Sequence, residues 1–169
     1  MPGSDGLRIR PFVDADWSQV WPIVDAVVRA GDTFTYDPTM TEEQARATWI
    51  EPPPGITVVA EDADGRILGT AKTGPNKPGP GAHVATASFM VAADARGRGV
   101  GAALVRDALD RARAGGFAGM QFNAVAASNT GAVALYERLG FRIIGTVPGG
   151  FEHPELGRVG LHVMYRDLP

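Results

Sequence analysis

The chain has 169 residues, 44% of them hydrophobic and 21% charged, with a net charge of −3. That length suits a single domain over 1–169 with a real hydrophobic core, and the slight acidity gives no support to a nucleic-acid or anionic-membrane partner. There is no cysteine, which excludes disulfides, thiolate metal sites and a cysteine acyl-enzyme.

Residues 7–13 read as a short strand, and Asp14 and Asp16 are placed to cap the helix after it. In that helix Val20, Ile23, Val24, Val27 and Val28 recur at helical spacing, and Pro22 belongs to its first turns or marks a kink. Residues 31–40 are loop-like. Thr41 with Gln44 opens a second helix running to about Ile50, stopped by Pro52-Pro53-Pro54-Gly55. Two strands, 56–61 and 66–74, flank a hairpin signal at Asp62-Ala63-Asp64-Gly65. A Pro/Gly-rich loop (75–81) leads to a strand at about 83–92.

A third helix runs from Val100 to about Ala114. Leu104, Val105, Ala108, Leu109 and Ala112 form its apolar stripe, and Arg106, Asp107, Asp110 and Arg113 face water. Gly115-Gly116 end it. A strand at 119–127 and a short helix at 130–139 follow, the latter with Ala132, Leu135, Tyr136 and Leu139 on one face. Gly140 terminates it. The last strands are 141–147 and 159–165, leaving 148–158 as a loop. The sum is an α/β (α+β) domain with a mixed, mostly antiparallel sheet of six to seven strands and about four helices. No stretch approaches the ~18 apolar residues of a membrane span, and no signal-peptide pattern precedes the first strand, so a cytoplasmic location is expected.

The richest chemical signal is Arg96-Gly97-Arg98-Gly99-Val100-Gly101, between a strand and an amphipathic helix. Glycines let the backbone turn tightly and approach a ligand. The helix's first turn, with Ala102, adds free N–H groups and the positive end of the dipole. Arg96 and Arg98 offer charge-assisted contacts. The pattern is either a structural turn or a phosphate cradle. A P-loop is disfavoured because no Gly-Lys-Ser/Thr ends it, and the spacing differs from that of a dinucleotide fingerprint.

A second element follows about thirty residues on. Asn129, Ala132, Leu135, Tyr136, Gly140 and Phe141 fit N-x-x-A-x-x-L-Y-x-x-x-G-F, and Arg96 to Gly101 fit Q/R-x-x-G-x-G/A. In this order the pair resembles the two signature motifs of the GCN5-related N-acetyltransferase family. The strand–helix order from Leu7 to Tyr165 is similar as well. The resemblance implies acetyl-CoA as co-substrate, its pyrophosphate held at Arg96–Ala102 and its remainder contacted by Asn129, Ala132 and Tyr136. It also implies that the strand before the glycine turn splays from its neighbour. Phe89, Met90 and Val91 would then bind the pantetheine arm and thioester, with the Val91 N–H as oxyanion donor.

By the same resemblance, Tyr136 is the general acid that protonates the leaving thiolate; a phenol and a thiol have neighbouring pKa values. It is otherwise a core contact of its helix. The base is not evident. Many family members place a Glu on the strand before the glycine turn, where this chain has only Thr86, Ser88 and His83, leaving a water relay or His83 as alternatives. His153 and His162 stand out no more, and no metal-binding spacing exists.

Two subgroups look similar. Acetyltransferases of azetidine-2-carboxylate and other proline analogues, known from yeast, line up without gaps from Pro75-Asn76 to Pro148. In them asparagines at the positions of Asn76 and Asn123 are expected to bind the substrate carboxylate. The bacterial phosphinothricin-type enzymes share a loop loosely like Thr33-Phe34-Thr35-Tyr36, which makes Phe34 an acceptor-side candidate. Asn76 is otherwise a turn residue and Asn123 a strand-end amide. The implied activity is N-acetylation of a small amine, an amino acid or proline analogue, by direct attack in a ternary complex. A homodimer is expected, and no metal. A protein or peptide acetyltransferase and an idle CoA-binding module are the alternatives.

Overall fold

The computed structural model describes residues 6–169; the first five residues of the expected domain lie outside it. Seven strands form one sheet: β1 (Arg8–Pro11), β2 (Ile56–Glu61), β3 (Ile67–Pro75), β4 (Val84–Val91), β5 (Gly119–Ala126), β6 (Arg142–His153) and β7 (Gly157–Asp167). Their order is β1-β2-β3-β4-β5-β7-β6. Only β4 and β5 run parallel; every other neighbouring pair is antiparallel. The helices are α1 (Trp17–Ala30), α2 (Glu42–Trp49), α3 (Val100–Ala114) and α4 (Thr130–Arg138). This is the mixed, mostly antiparallel α/β architecture expected from the sequence.

The helices cover both faces of the sheet. Val20, Ile23, Val24, Val27 and Val28 of α1 are buried with Ala45 and Trp49 of α2 against Val59, Ile67 and Met90. On the opposite face Val100 and Leu104 of α3 pack on Val58, Ala60 and Ala71. Val105, Ala108, Leu109 and Ala112 pack on Ala85, Met120, Phe122 and Met164. The 3.6-residue spacing of the apolar positions dictates both stripes. Gly69 of β3 is what lets α3 sit this close. A Cβ there would lie 3.0 Å from the Met90 carbonyl oxygen, 3.0 Å from Val100 Cγ1 and 3.1 Å from Leu104 Cδ1.

Helix ends follow local chemistry. Thr41 Oγ1 accepts the Gln44 N–H at 3.2 Å, and Gln44 Oε1 accepts the Thr41 N–H at 2.9 Å, the reciprocal capping read from the sequence. α1 ends at Gly31 in the left-handed region, φ 64°. Its start differs from expectation. Asp14–Asp16 form a 3₁₀ turn and give α1 no side-chain cap. The Asp16 carboxylate instead accepts from the Val13 N–H at 2.8 Å and from both terminal guanidinium nitrogens of Arg10, at 2.7 and 2.8 Å. A bidentate arginine outcompetes a helix N–H for the same oxygens.

Residues 148–158 are not a loop. β6 runs through them to His153, and β7 resumes at Gly157. The register slips between Val147 and Phe151, so Pro148-Gly149-Gly150 bulge out of a strand that continues past them. β6 lies at the sheet edge, where a proline removes no ladder hydrogen bond. A Pro-Gly-Gly run therefore reads as a break in sequence but is an edge bulge in the fold.

Candidate active site

The site arises where β4 and β5 part. Parallel pairing holds only for Val84 with Gly119 and Ala85 with Met120. β5 then bulges: its register against β7 shifts between Phe122 and Val125, leaving Asn123 and Ala124 side by side on the surface. Bulges re-aim side chains in this way.

The phase of the β3–β4 ladder decides which backbone groups face the gap. The Asn76 N–H donates to the Val84 carbonyl and the Ala92 N–H to the Leu68 carbonyl, each at 2.8 Å. In an antiparallel ladder bonded pairs alternate. With Met90 opposite Thr70 and Val91 opposite Gly69, the even-numbered residues of β4 spend their N–H and C=O on β3. Phe89 and Val91 point theirs at the space β5 has left, where no strand pairs with them. Met90, by contrast, commits its backbone to β3, and its side chain is buried beneath α1.

A cavity of about 460 Å³ fills the gap. β4 contributes Thr86 to Val91, β5 contributes Phe122 to Ala126, and Ser128, Asn129, Ala132 and Tyr136 close one side. Asp32 to Tyr36 of the α1–α2 loop, with Val27, Arg96 and His153, complete the wall. Phe34 and Tyr36 pack with the α1–α2 cluster, and Tyr136 with the α3 cluster on the other face. The cavity thus has walls from both faces of the sheet, with Val91 among the residues that line it.

The glycine turn sits at its edge. Gly97 and Gly99 have φ of 76° and 81°, and a Cβ on either would meet nothing within 4 Å. These glycines serve backbone conformation and an open approach, not tight packing. No side chain caps α3 and no acidic residue lies in its first turn, so the N–H groups of Val100, Gly101 and Ala102 are free for an anion. A Cβ on Gly101 would lie 3.8 Å from Val91 Cγ2 and 3.9 Å from Leu135 Cδ2, so the turn sits between the splayed strand and α4. Arg96 reaches the cavity wall, whereas Arg98 is exposed outside it.

Residues 21–141 match the model of the Acetyltransferase (GNAT) family. The chain belongs to that family.

Over 92 residues it is 38% identical to the L-methionine sulfoximine/L-methionine sulfone acetyltransferase of Pseudomonas aeruginosa, covering 54% of this chain and 53% of that protein. The chain thus spans about half the length of that curated relative. A GCN5-related N-acetyltransferase structure from Kribbella flavida superposes with a TM-score of 0.96 at 56% identity, covering 98% of this chain and 100% of the other. A phosphinothricin acetyltransferase of the GNAT superfamily from Sinorhizobium meliloti, in complex with AcCoA, shares the fold. Its TM-score is 0.84 at 24% identity, over 96% of this chain and 89% of that one.

Within this GNAT frame Tyr136 sits in a cluster of rings: Phe122 at 4.6 Å, Phe141 at 6.0 Å and Phe89 at 6.3 Å between centroids. Burial pushes its phenol up to about 12, because the phenolate would have to shed its water. The near match of phenol and thiol argued from reference values does not survive that burial. Asn129 caps α4 through Oδ1, which accepts the Ala132 N–H at 3.4 Å, and still lines the cavity.

Asn76 and Asn123, 47 residues apart, come together: Asn123 Nδ2 donates to Asn76 Oδ1 at 2.6 Å, and Gln121 Nε2 donates to Asn123 Oδ1 at 2.9 Å. Only Asn123 lines the cavity. Phe34 does too, its ring 5.3 Å from Tyr36 and edge-on to Trp49 at 6.2 Å. Neither His83 nor His162 reaches it; His162 Nδ1 pairs with Thr146 Oγ1 at 2.7 Å.

Three cavity residues had no distinguishing signal in the sequence. Ser128 Oγ is buried without a hydrogen-bond partner, in a polar turn that looks ordinary in sequence. His153 Nδ1 accepts the N–H groups of Glu155 and Leu156, each at 3.1 Å. The neutral ring must then carry its proton on Nε2, leaving the cavity a donor and no free lone pair. Asp32 belongs to no motif, and only the turn at Gly31 brings it to the wall.

Proposed function

We propose that the chain is an acetyl-CoA-dependent N-acetyltransferase, one domain over 1–169, acting on the amine of a small molecule, an amino acid or close analogue. The observation that carries this reading is the cavity walled from both faces of the sheet at the β4–β5 splay, with Val91, its N–H unpaired, among the residues that line it. A donor thioester held along α3 and α4 on one face and an amine admitted past Phe34 on the other would meet there. The residues fit the donor: a glycine turn with free N–H groups, Arg96, and the orphaned Ser128 hydroxyl suit phosphates followed by an amide-bearing arm. In this reading Val91 donates to the developing oxyanion, Tyr136 protonates the departing sulfur, and Asn123, held by Asn76 from outside the cavity, presents its remaining amide N–H to the acceptor's carboxylate. GNAT membership and the named substrates of the Pseudomonas relative support the chemistry and the acceptor class.

The test is acetyl-CoA consumption by the purified chain over a panel of L-methionine sulfoximine, L-methionine sulfone, free amino acids, proline analogues, polyamines and peptides. Turnover concentrated on amino acids or their analogues is the expected result. Turnover on peptides alone overturns the acceptor class, and none on any amine overturns the activity. A homodimer is part of the proposal. Ile143, Ile144 and Val147 on the edge strand β6 are 39%, 54% and 53% exposed, and an unpaired apolar edge is a natural interface. Light scattering at micromolar concentration distinguishes monomer from dimer.

A further inference from the structure

We propose that Asp32 is a catalytic residue: its carboxylate binds the acceptor's ammonium group and takes the proton that must leave before nitrogen can attack. The assignment rests on the acetyltransferase reading and supplies the base that the strand motif lacks.

Among the described residues, Asp32 is the only carboxylate on the cavity wall. The titratable groups that line the cavity, among the described residues, are Asp32, Tyr36, Arg96, Tyr136 and His153, and four of the five are unsuited. Arg96 is a permanent cation. Tyr36 carries a hydroxyl rather than a carboxylate, and its ring stacks on Phe34 at 5.3 Å. Burial holds Tyr136 protonated. His153 spends its Nδ1 lone pair on two backbone N–H groups, so its remaining nitrogen donates. The hydroxyls of Thr86 and Ser88 on β4 can relay a proton but not keep one.

Asp32 is also uncommitted. Asp16, Asp94, Asp107 and Asp110 each hold an arginine at 3.2 Å or less. Among the described residues no ion pair or side-chain hydrogen bond engages Asp32, although it is half-buried. A half-buried carboxylate with no cation of its own is open to pair with an incoming one. Its position is held by the fold: Gly31 turns the chain at φ 64°. Two residues on, Phe34 packs on Trp49, itself buried with Nε1 donating to Thr70 Oγ1 at 3.0 Å. The backbone that carries the carboxylate is thereby held at the wall, which limits the reorganisation needed for it to act.

The step balances as follows. The ammonium gives one proton to Asp32, which releases it to solvent. The freed lone pair forms the C–N bond to the thioester carbon, with the oxyanion on the Val91 N–H. The C–S bond then breaks, sulfur takes the Tyr136 proton, and the second proton leaving nitrogen restores the phenol. The net change is one amide and one thiol formed, and one proton released.

The experiment compares wild type, Asp32→Asn and Asp32→Glu, with acetyl-CoA and L-methionine sulfoximine as first probe, then whichever panel amine wild type turns over fastest. Asp32→Asn is isosteric and breaks no contact, so its acetyl-CoA affinity by calorimetry should equal that of wild type. Its kcat at pH 7 should fall about 10²–10⁴-fold, then climb toward wild type as pH passes the amine's own pKa. Asp32→Glu should recover part of the loss. Wild-type kcat in Asp32→Asn, a loss of the same factor at every pH, or a loss confined to KM overturns the assignment while turnover by wild type upholds the acetyltransferase reading. Wild type inactive on every amine overturns the reading and the assignment with it.

Discussion

Tyr136 holds its hydroxyl inside a nest of aromatic rings, and its two roles separate on substitution. Tyr136→Phe keeps the ring contacts with Phe122 and Phe141, so stability at neutral pH should hardly change. The proton donor is lost. A phenol near 12 transfers its proton uphill to a thiolate whose conjugate acid lies near ~8.5. We therefore expect the low end of general-acid effects, about 10²-fold in kcat, with acetyl-CoA affinity unchanged. Wild-type kcat under conditions where chemistry limits would assign Tyr136 to packing. The same burial predicts an alkaline signature. The folded phenol binds its proton more tightly than the unfolded one near 10, so its contribution is complete below pH 10 and is lost as pH rises toward about 12. Urea denaturation at pH 9 and pH 11 should show wild type losing about 1 kcal/mol more than Tyr136→Phe. Tyr136 was legible from its motif; its surroundings were not, because Phe89 and Phe122 join it only across the splayed strands.

At the scale of elements, the closeness of α3 to β3 decides where the glycine turn lies. Gly69→Ala would place a methyl group 3.0 Å from a backbone carbonyl and from Val100, neither of which is a flexible side-chain end. Overpacking of this kind costs about 1–3 kcal/mol, measurable by urea denaturation. It should also push the first turn of α3 outward and weaken acetyl-CoA binding in calorimetry. Unchanged stability and affinity would show that α3 tolerates the displacement. The limits of α2 and α3 were readable in sequence because caps and 3.6-residue stripes are local. Those of β6 and β7 were not, since Pro148-Gly149-Gly150 break a strand unless an antiparallel partner carries it across the bulge.

For the molecule as a whole, the cavity walled from both faces of the sheet and the absence of cysteine favour direct transfer with both substrates bound. Initial-rate plots against acetyl-CoA at several acceptor concentrations should intersect; parallel lines, or an acetylated protein trapped on the pathway, would reject this. The sequence by itself determined the family, through two motifs in order, and located the glycine turn at the start of α3, because each is a run of consecutive residues whose backbone chemistry does not depend on distant partners. It also named Asn76 and Asn123 without showing that they meet. The tertiary structure alone decided which N–H groups are free, since that follows from the phase of the β3–β4 ladder. It decided that His153 is a donor, through a hairpin the sequence read as a loop. It brought Asp32 to the cavity wall, because a lone carboxylate after a helix acquires meaning only from what the fold sets across from it.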